Sequence, residues 1–259
     1  MTVETDPVSA AETTDRPVTC AVTAVESVTP EIRIVRMRPV HGESFAYRAG
    51  QYARVAFGGF DERDYSIASR PVPGDPELAF HIRNMGGGGP SQYVADNLAV
   101  GERVSVRGPF GATYLRPEKP GPILAICGGS GLAPMTAIVA EALAMGLTQP
   151  IHLYFGARRE RDIYMEDHFR TLAEQHPNFA FTPVLSDPDG PTDRRTGFIH
   201  QAAAADTPTL QGCVAYLAGP PPMVEAAAAM CRDHGMAETD IHADAFIGEA
   251  ERRQRDGAV

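Results

Sequence analysis

The sequence predicts two domains: an antiparallel β-barrel or sandwich, followed by an α/β domain built on a parallel sheet. Three observations predict this. From Val18 to about Leu115, short strands are punctuated by turns at the spacing of an antiparallel barrel or sandwich. At Pro117–Pro122 the chain turns proline-rich and the pattern changes, which marks a boundary. Beyond it, strands that are apolar throughout alternate with helices, the pattern of a parallel sheet covered on both faces. A chain of 259 residues has room for two such cores. The expected domains are residues 17–116 and 117–247, between a polar tail at 1–16 and a charged tail at 248–259.

In the first domain the expected strands are Val18–Val28, Ile32–Pro39, Gln51–Phe57, Arg63–Ser69, Glu77–Arg83 and Arg103–Gly108. Turn residues separate them, as in Thr29-Pro30-Glu31, His41-Gly42-Glu43 and Pro71–Pro76. One helix interrupts them at Pro90–Leu98, with proline near its start. In the second domain, strands are expected at Pro122–Cys127, Pro150–Gly156, Phe179–Leu185, Gly212–Ala218 and Ile241–Phe246. Helices are expected at Pro134–Met145, Asp162–Gln175, His200–Ala205 and Pro222–His234, and Ser186–Arg195 reads as a loop.

Composition excludes several classes. Net charge is −10, with no basic tail, which argues against nucleic acid or an anionic membrane as partner. The four cysteines, Cys20, Cys127, Cys213 and Cys231, are scattered, so neither a metal cluster nor a disulfide framework is expected. No apolar run is long enough to span a membrane, and the N-terminus lacks the pattern of a secretory signal. A cytoplasmic protein, acting as a monomer, is expected.

Five stretches can carry chemistry. Arg63-Asp64-Tyr65-Ser66 lies in a strand, where Arg63 and Tyr65 share a face. A flat aromatic beside a bidentate cation suits a planar ring joined to a phosphate, as in a flavin nucleotide. Ser66 can reach the ring edge. Read alone, the stretch is equally a surface strand with one exposed arginine. Met85–Ser91, with four glycines before a helix, offers backbone N–H groups to an anion such as a pyrophosphate. On the preceding strand, Arg83 is placed to assist; His81 shares its face and is a cofactor-side candidate, though it reads more readily as structural. Cys127–Pro134 follows a buried strand and opens a helix, the context of a nucleotide loop, with Pro134 expected at the first helical position. Gly219-Pro220-Pro221-Pro222-Met223 makes a stiff turn with few donors, a wall for a flat ring. Arg158-Arg159-Glu160-Arg161 follows the second parallel strand, where a ribose or its phosphate would lie, and reads equally as a solvated loop.

Taken together these stretches resemble the ferredoxin–NADP reductase superfamily, and more narrowly the flavin and nicotinamide domains of bacterial oxygenase reductases. The matching pieces stand in family order: R-x-Y-S at Arg63, Tyr65 and Ser66; G-G-x-x-S at Gly87, Gly88 and Ser91; G-G-[ST]-G-x-x-P from Gly128 to Pro134. G-A-R-x-x-x-D at Gly156, Ala157, Arg158 and Asp162 and G-P-P-x-M from Gly219 to Met223 complete the set.

The resemblance implies a Greek-key barrel that binds FAD, with Tyr65 stacked on the isoalloxazine and Ser66 near flavin N5. It implies that Arg63 and Gly87–Ser91 hold the pyrophosphate. It also implies that Gly128, Gly129, Ser130 and Gly131 take NADH or NADPH, that Gly219–Met223 fixes the nicotinamide, and that Phe246 covers the other flavin face. The G-A-R-x-x-x-D match implies NADH, whereas the arginine cluster suits the 2′-phosphate of NADPH equally. Alanine at 218 replaces the cysteine of many relatives. An iron–sulfur domain is not expected in this sequence, so a separate ferredoxin or oxygenase component is the implied electron acceptor, with Arg33, Arg36 and Arg38 as a candidate docking patch. Two competing functions are an NAD(P)H:flavin reductase that releases reduced flavin, and a non-enzymatic redox-sensing subunit.

Overall fold

The computed structural model describes residues 14–42 and 45–246. Six antiparallel strands form the first sheet: β1 (Thr14–Ser27), β2 (Ile32–Pro39), β3 (Tyr52–Ala56), β4 (Arg63–Ser66), β5 (Leu78–Arg83) and β6 (Arg103–Phe110). A short helix, α1 (Pro90–Asp96), precedes β6. The spatial order is β4-β3-β6-β1-β2-β5. The chain beyond β4 closes the circle through an Ile67–Phe80 bridge and an Ala68 N–H bond to the Ala79 carbonyl at 2.7 Å. Closure with non-sequential neighbours makes this a Greek-key barrel and decides against the sandwich.

β2 explains how the barrel meets its neighbour. Val35 and Met37 point inward with Val55, Phe57 and Phe80, while Ile32 and Ile34 point outward into a cluster shared with the second domain. Apolar residues on both faces of this strand are therefore buried, while Arg36 and Arg38 keep the far end of its outer face in solvent.

The second sheet is parallel throughout. Its strands are β7 (Ile123–Gly128), β8 (Ile151–Ala157), β9 (Phe179–Leu185), β10 (Arg195–Thr196), β11 (Val214–Gly219) and β12 (Ile241–Ala245), in the order β10-β9-β8-β7-β11-β12. Helices α2 (Leu132–Ala144) and α3 (Glu166–Gln175) cover one face, and α4 (Ile199–Asp206) and α5 (Pro221–Asp233) the other. All residues of β7 and β11 are buried, as their unbroken apolar sequence requires. The chain winds outward from β7 to β10, then returns to β11 on the opposite side of β7. The loops after β7 and β11 thus leave a crevice at the reversal point.

Several expectations are corrected. Thr14–Arg16 belong to β1 rather than to a tail, and Thr14 pairs with Gly108. Both tails otherwise lie outside the described residues. α2 begins at Leu132, after a 3-10 turn at Gly129–Gly131, so Pro134 is its third residue, not its first. A proline costs nothing there, because first-turn N–H groups have no intrahelical acceptor. The helix expected at Asp162–Gln175 is broken: a 3-10 turn at Glu160–Asp162 ends, Met165 takes φ +57°, and α3 starts at Glu166. The expected loop at Ser186–Arg195 ends in the short strand β10, which pairs with β9.

Candidate active site between barrel and sheet

On the barrel side, β4 pairs with β3, with Ser66 opposite Tyr52 and Arg63 opposite Val55. Arg63 and Tyr65 share one face, as alternation requires. The Tyr65 ring meets Phe57 edge-on, with centroids 5.7 Å apart, which fixes its plane. Arg63 donates to the Glu62 carbonyl at 3.0 Å. Ser66 is buried, yet among the described residues its hydroxyl has no partner. The oxygen itself keeps some access to solvent, so it can meet a ligand acceptor or donor at that point.

The glycine loop after β5 is built for backbone conformation. Gly86, Gly87 and Gly88 have φ of 69°, 74° and 74°, and a Cβ at any of them would meet open space. Side chains brace the loop. Ser91 Oγ accepts from Met85 N–H at 3.1 Å, Asn84 Oδ1 from Gly86 N–H at 2.9 Å, and Gln92 Oε1 from Gly88 N–H at 2.7 Å. The Gly88 N–H is therefore spent internally, while those of Gly87 and Ser91 have no acceptor among the described residues. The Ser91 hydroxyl keeps its own proton to give. These donors fit an anionic group such as a pyrophosphate.

On the sheet side, the loops after β7 and β11 pack on one another. A Cβ on Gly131 would lie 2.2 Å from the Ala218 carbonyl oxygen, and one on Gly128 would lie 2.8 Å from Met223 Sδ. Gly219, at φ +141°, sits against the Gly128 backbone. Gly128, Gly131, Gly219 and Met223 are thus set first by packing between loops. Gly129, at φ +57°, is the one whose open side meets only the Arg83 guanidinium, 3.9 Å from where a Cβ would sit. Pro220 caps α5 and Pro221 begins it, a rigid entry with no N–H at either residue. Phe246 N–H donates to the Gly219 carbonyl at 2.8 Å, which brings this aromatic beside the proline loop.

The two sides converge. Ala68, two residues past Ser66, packs with Ala79 of β5 and Ala133, the second residue of α2. Three alanines at one contact let the backbones approach closely. Thr113 in the linker donates to the Ala243 carbonyl of β12 at 3.3 Å. Arg83, between the two glycine loops, is tied to Glu31 at 2.7 Å.

Family models match both halves. One described as an oxidoreductase FAD-binding domain covers residues 19–114, and one described as an oxidoreductase NAD-binding domain covers residues 125–229. The ferredoxin–NAD(P)+ reductase component of the naphthalene 1,2-dioxygenase/salicylate 5-hydroxylase systems of a Ralstonia species is 43% identical over 226 residues. The match spans 87% of this chain and 67% of that protein. The corresponding naphthalene 1,2-dioxygenase reductase component of Pseudomonas putida is 40% identical over 227 residues, with the same coverage. A crystal structure of a cytochrome P450 reductase from Amycolatopsis superposes with a TM-score of 0.83 at 36% identity, over 89% of this chain and 70% of that one.

The chain belongs to the ferredoxin–NAD(P)+ reductase family of oxygenase systems. This reductase is an FAD- and NAD(P)-dependent oxidoreductase, and none of its helices among the described residues is long and apolar enough to cross a membrane.

The structure adds detail to three sequence expectations at the site. His81 does not line the cleft as a cofactor ligand. It is 6% exposed, and its Nδ1 lies 3.0 Å from the hydroxyl of Tyr164, which donates to the Gly129 carbonyl at 3.1 Å. Burial, with Arg36 adding to it, lowers its pKa to about 3, so the ring is neutral. In the candidate docking patch Arg36 pairs with Glu77 at 3.1 Å and Arg38 with Asp75 at 2.8 Å, which lowers its net positive charge, while Arg33 turns onto the Thr29 carbonyl. Arg158 is exposed at the rim and its carbonyl accepts from Asp187 N–H, but the neighbouring Arg159 is held by Asp187 and Asp189, at 3.6 and 3.0 Å. Sequence reading missed Tyr164, Glu31 and the alanine contact. Nothing local marks a tyrosine whose partner lies 83 residues away.

Proposed function

We propose that this reductase takes hydride from NADH in the cleft between barrel and sheet, and passes electrons singly to a separate ferredoxin or oxygenase component. Its naphthalene dioxygenase relatives are named as ferredoxin–NAD(P)+ reductase components. The observation that carries the reading is the cluster of Ala68, Ala79 and Ala133, in which the segment after Ser66 and strand β5 meet the start of α2, beside the Gly128–Pro134 loop.

Bound FAD supplies the chemistry, accepting a two-electron equivalent and releasing single electrons. The chain's own residues position and bind. Tyr65, braced by Phe57, gives a fixed plane for the flavin. Arg63 and the Gly87 and Ser91 donors take the pyrophosphate, with Arg83 nearby. The Ser66 hydroxyl would bond at the flavin edge. The Gly129–Gly131 turn takes the dinucleotide phosphates. The rigid Gly219-Pro220-Pro221 turn and Met223 would hold the nicotinamide, and Phe246 would cover the flavin. Holding two rings in contact supplies much of the acceleration, without a strong acid or base. The rim favours NADH: Asp187 and Asp189 neutralise Arg159 and would repel a 2′-phosphate. Both halves of the cleft come from one chain, and a monomer is the proposed working unit.

The test is a stopped-flow measurement. Ser66→Ala should slow flavin reduction by NADH about 10- to 100-fold, the scale of one or two lost hydrogen bonds, while FAD stays bound. NADPH should reduce the parent more slowly than NADH. An unchanged rate in Ser66→Ala removes that residue's role. Loss of yellow colour on gel filtration would favour the enzyme that releases free flavin, which the braced glycine loop argues against. Bound FAD without NADH oxidation by ferricyanide would favour a sensor.

A further inference from the structure

We propose that His81 and Tyr164 form a positioning pair that locks the Gly129–Ser130 peptide with its N–H turned toward the bound dinucleotide. This rests on the reading of the Gly129–Gly131 turn as the dinucleotide site. Both side chains are buried, at 6% and 4% exposure, and they come from different domains: His81 from β5 of the barrel, Tyr164 from the segment after β8. Their rings meet edge-on at 5.4 Å, and Phe155 of β8 meets Tyr164 at 5.5 Å with planes 87° apart, so the phenol has one available direction.

Proton counting fixes the direction of the chain of hydrogen bonds. The Gly129 carbonyl can only accept, so the single phenolic proton goes to it. His81 Nδ1 must then carry a proton and donate to the phenol oxygen. The neutral ring is the Nδ1–H tautomer, held by its partner. The Gly129 carbonyl also accepts from the Leu132 N–H, so both of its lone pairs are used.

The consequence falls on the far side of the peptide. In a trans peptide the C=O and the following N–H point in opposite directions. With the Gly129 carbonyl anchored on the buried phenol, the Ser130 N–H points away from it, toward the partly exposed side of the turn. Among the described residues this N–H has no acceptor. Glycine at 129, with φ +57°, would otherwise let the peptide swing, because no Cβ resists rotation. The anchor removes that freedom before ligand arrives, and preorganisation of this kind strengthens binding without adding a contact.

Tyr164→Phe keeps the ring and deletes both hydrogen bonds. It should raise KM for NADH and Kd for NAD+ roughly ten-fold, the scale of one hydrogen bond and a lost orientation. The reduction rate at saturating NADH should change less than about two-fold, with FAD content and melting temperature near the parent's. His81→Asn, which keeps an N–H donor, should stay close to the parent; His81→Leu should move toward Tyr164→Phe. The parent is measured first: if NADH does not reduce it, the proposed function fails and takes this inference with it. If the parent is reduced and Tyr164→Phe leaves KM and Kd unchanged, or lowers FAD content and affinity together, the pair is packing only. If Tyr164→Phe does not fold, His81→Leu against His81→Asn decides: equal NADH affinity in the two overturns the proposal.

Discussion

At the scale of single residues, His81 couples the site to pH. Its folded pKa is lowered from 6.5 to about 3 by burial, while the unfolded chain binds a proton near 6.5. Between those values the unfolded state carries more protons, so stability is full above about 6.5 and is lost as pH falls toward 3. The loss approaches ~1.4 kcal/mol per pH unit across that window. Denaturation in urea at pH 7 and pH 4.5 should show this loss, and His81→Asn should flatten it. An equal pH slope in both proteins would remove His81 as its source. Charge alternation and glycine runs in the sequence pointed to Arg63, Tyr65 and Ser91. Tyr164 was invisible, because its meaning depends on a histidine and a carbonyl that only the folded chain brings near.

At the scale of elements, the two nucleotide-side loops behave as one unit. Gly131 lies so near the Ala218 carbonyl that a methyl group would overlap it, at 2.2 Å, and the neighbouring atom is backbone that cannot swing aside. Gly131→Ala should therefore destabilise the second domain by about 1–3 kcal/mol, the cost of overpacking, and weaken NADH binding by displacing the Gly219 turn. Gly129→Ala, with open space around its Cβ, should cost less in packing and be limited by its positive φ. Melting curves of the two variants compare these costs; equal losses would mean that backbone conformation, not loop packing, dominates. The sequence shows both glycines in one motif. It does not show which one is held by a neighbouring loop.

At the scale of the molecule, the barrel and sheet share one apolar cluster, with Ile32, Ile34 and Ala49 packed among Ile123, Leu132 and Ile138. A shared core fixes the distance between the two sites more firmly than a polar interface would. Ala79, beside Ala68 and Ala133, sits at this seam but outside both ligand loops. Ala79→Leu should push the domains apart, slowing flavin reduction by NADH more than ten-fold while FAD and NAD+ affinities change less than two-fold. Parental kinetics in a folded Ala79→Leu protein would show that the seam does not set the geometry of transfer.

The order of strands and helices, the glycine and proline loops and the place where antiparallel gives way to parallel pairing were settled by local pattern. Alternation, apolar runs and turn residues act over a few neighbours, so they can be read along the chain. Only the tertiary structure decided that the barrel closes at Ile67–Phe80, that Arg36 and Arg38 are neutralised, and that His81 serves Tyr164 instead of a cofactor. Those outcomes depend on groups tens of residues apart competing for the same partner, and linear spacing carries no information about which one wins.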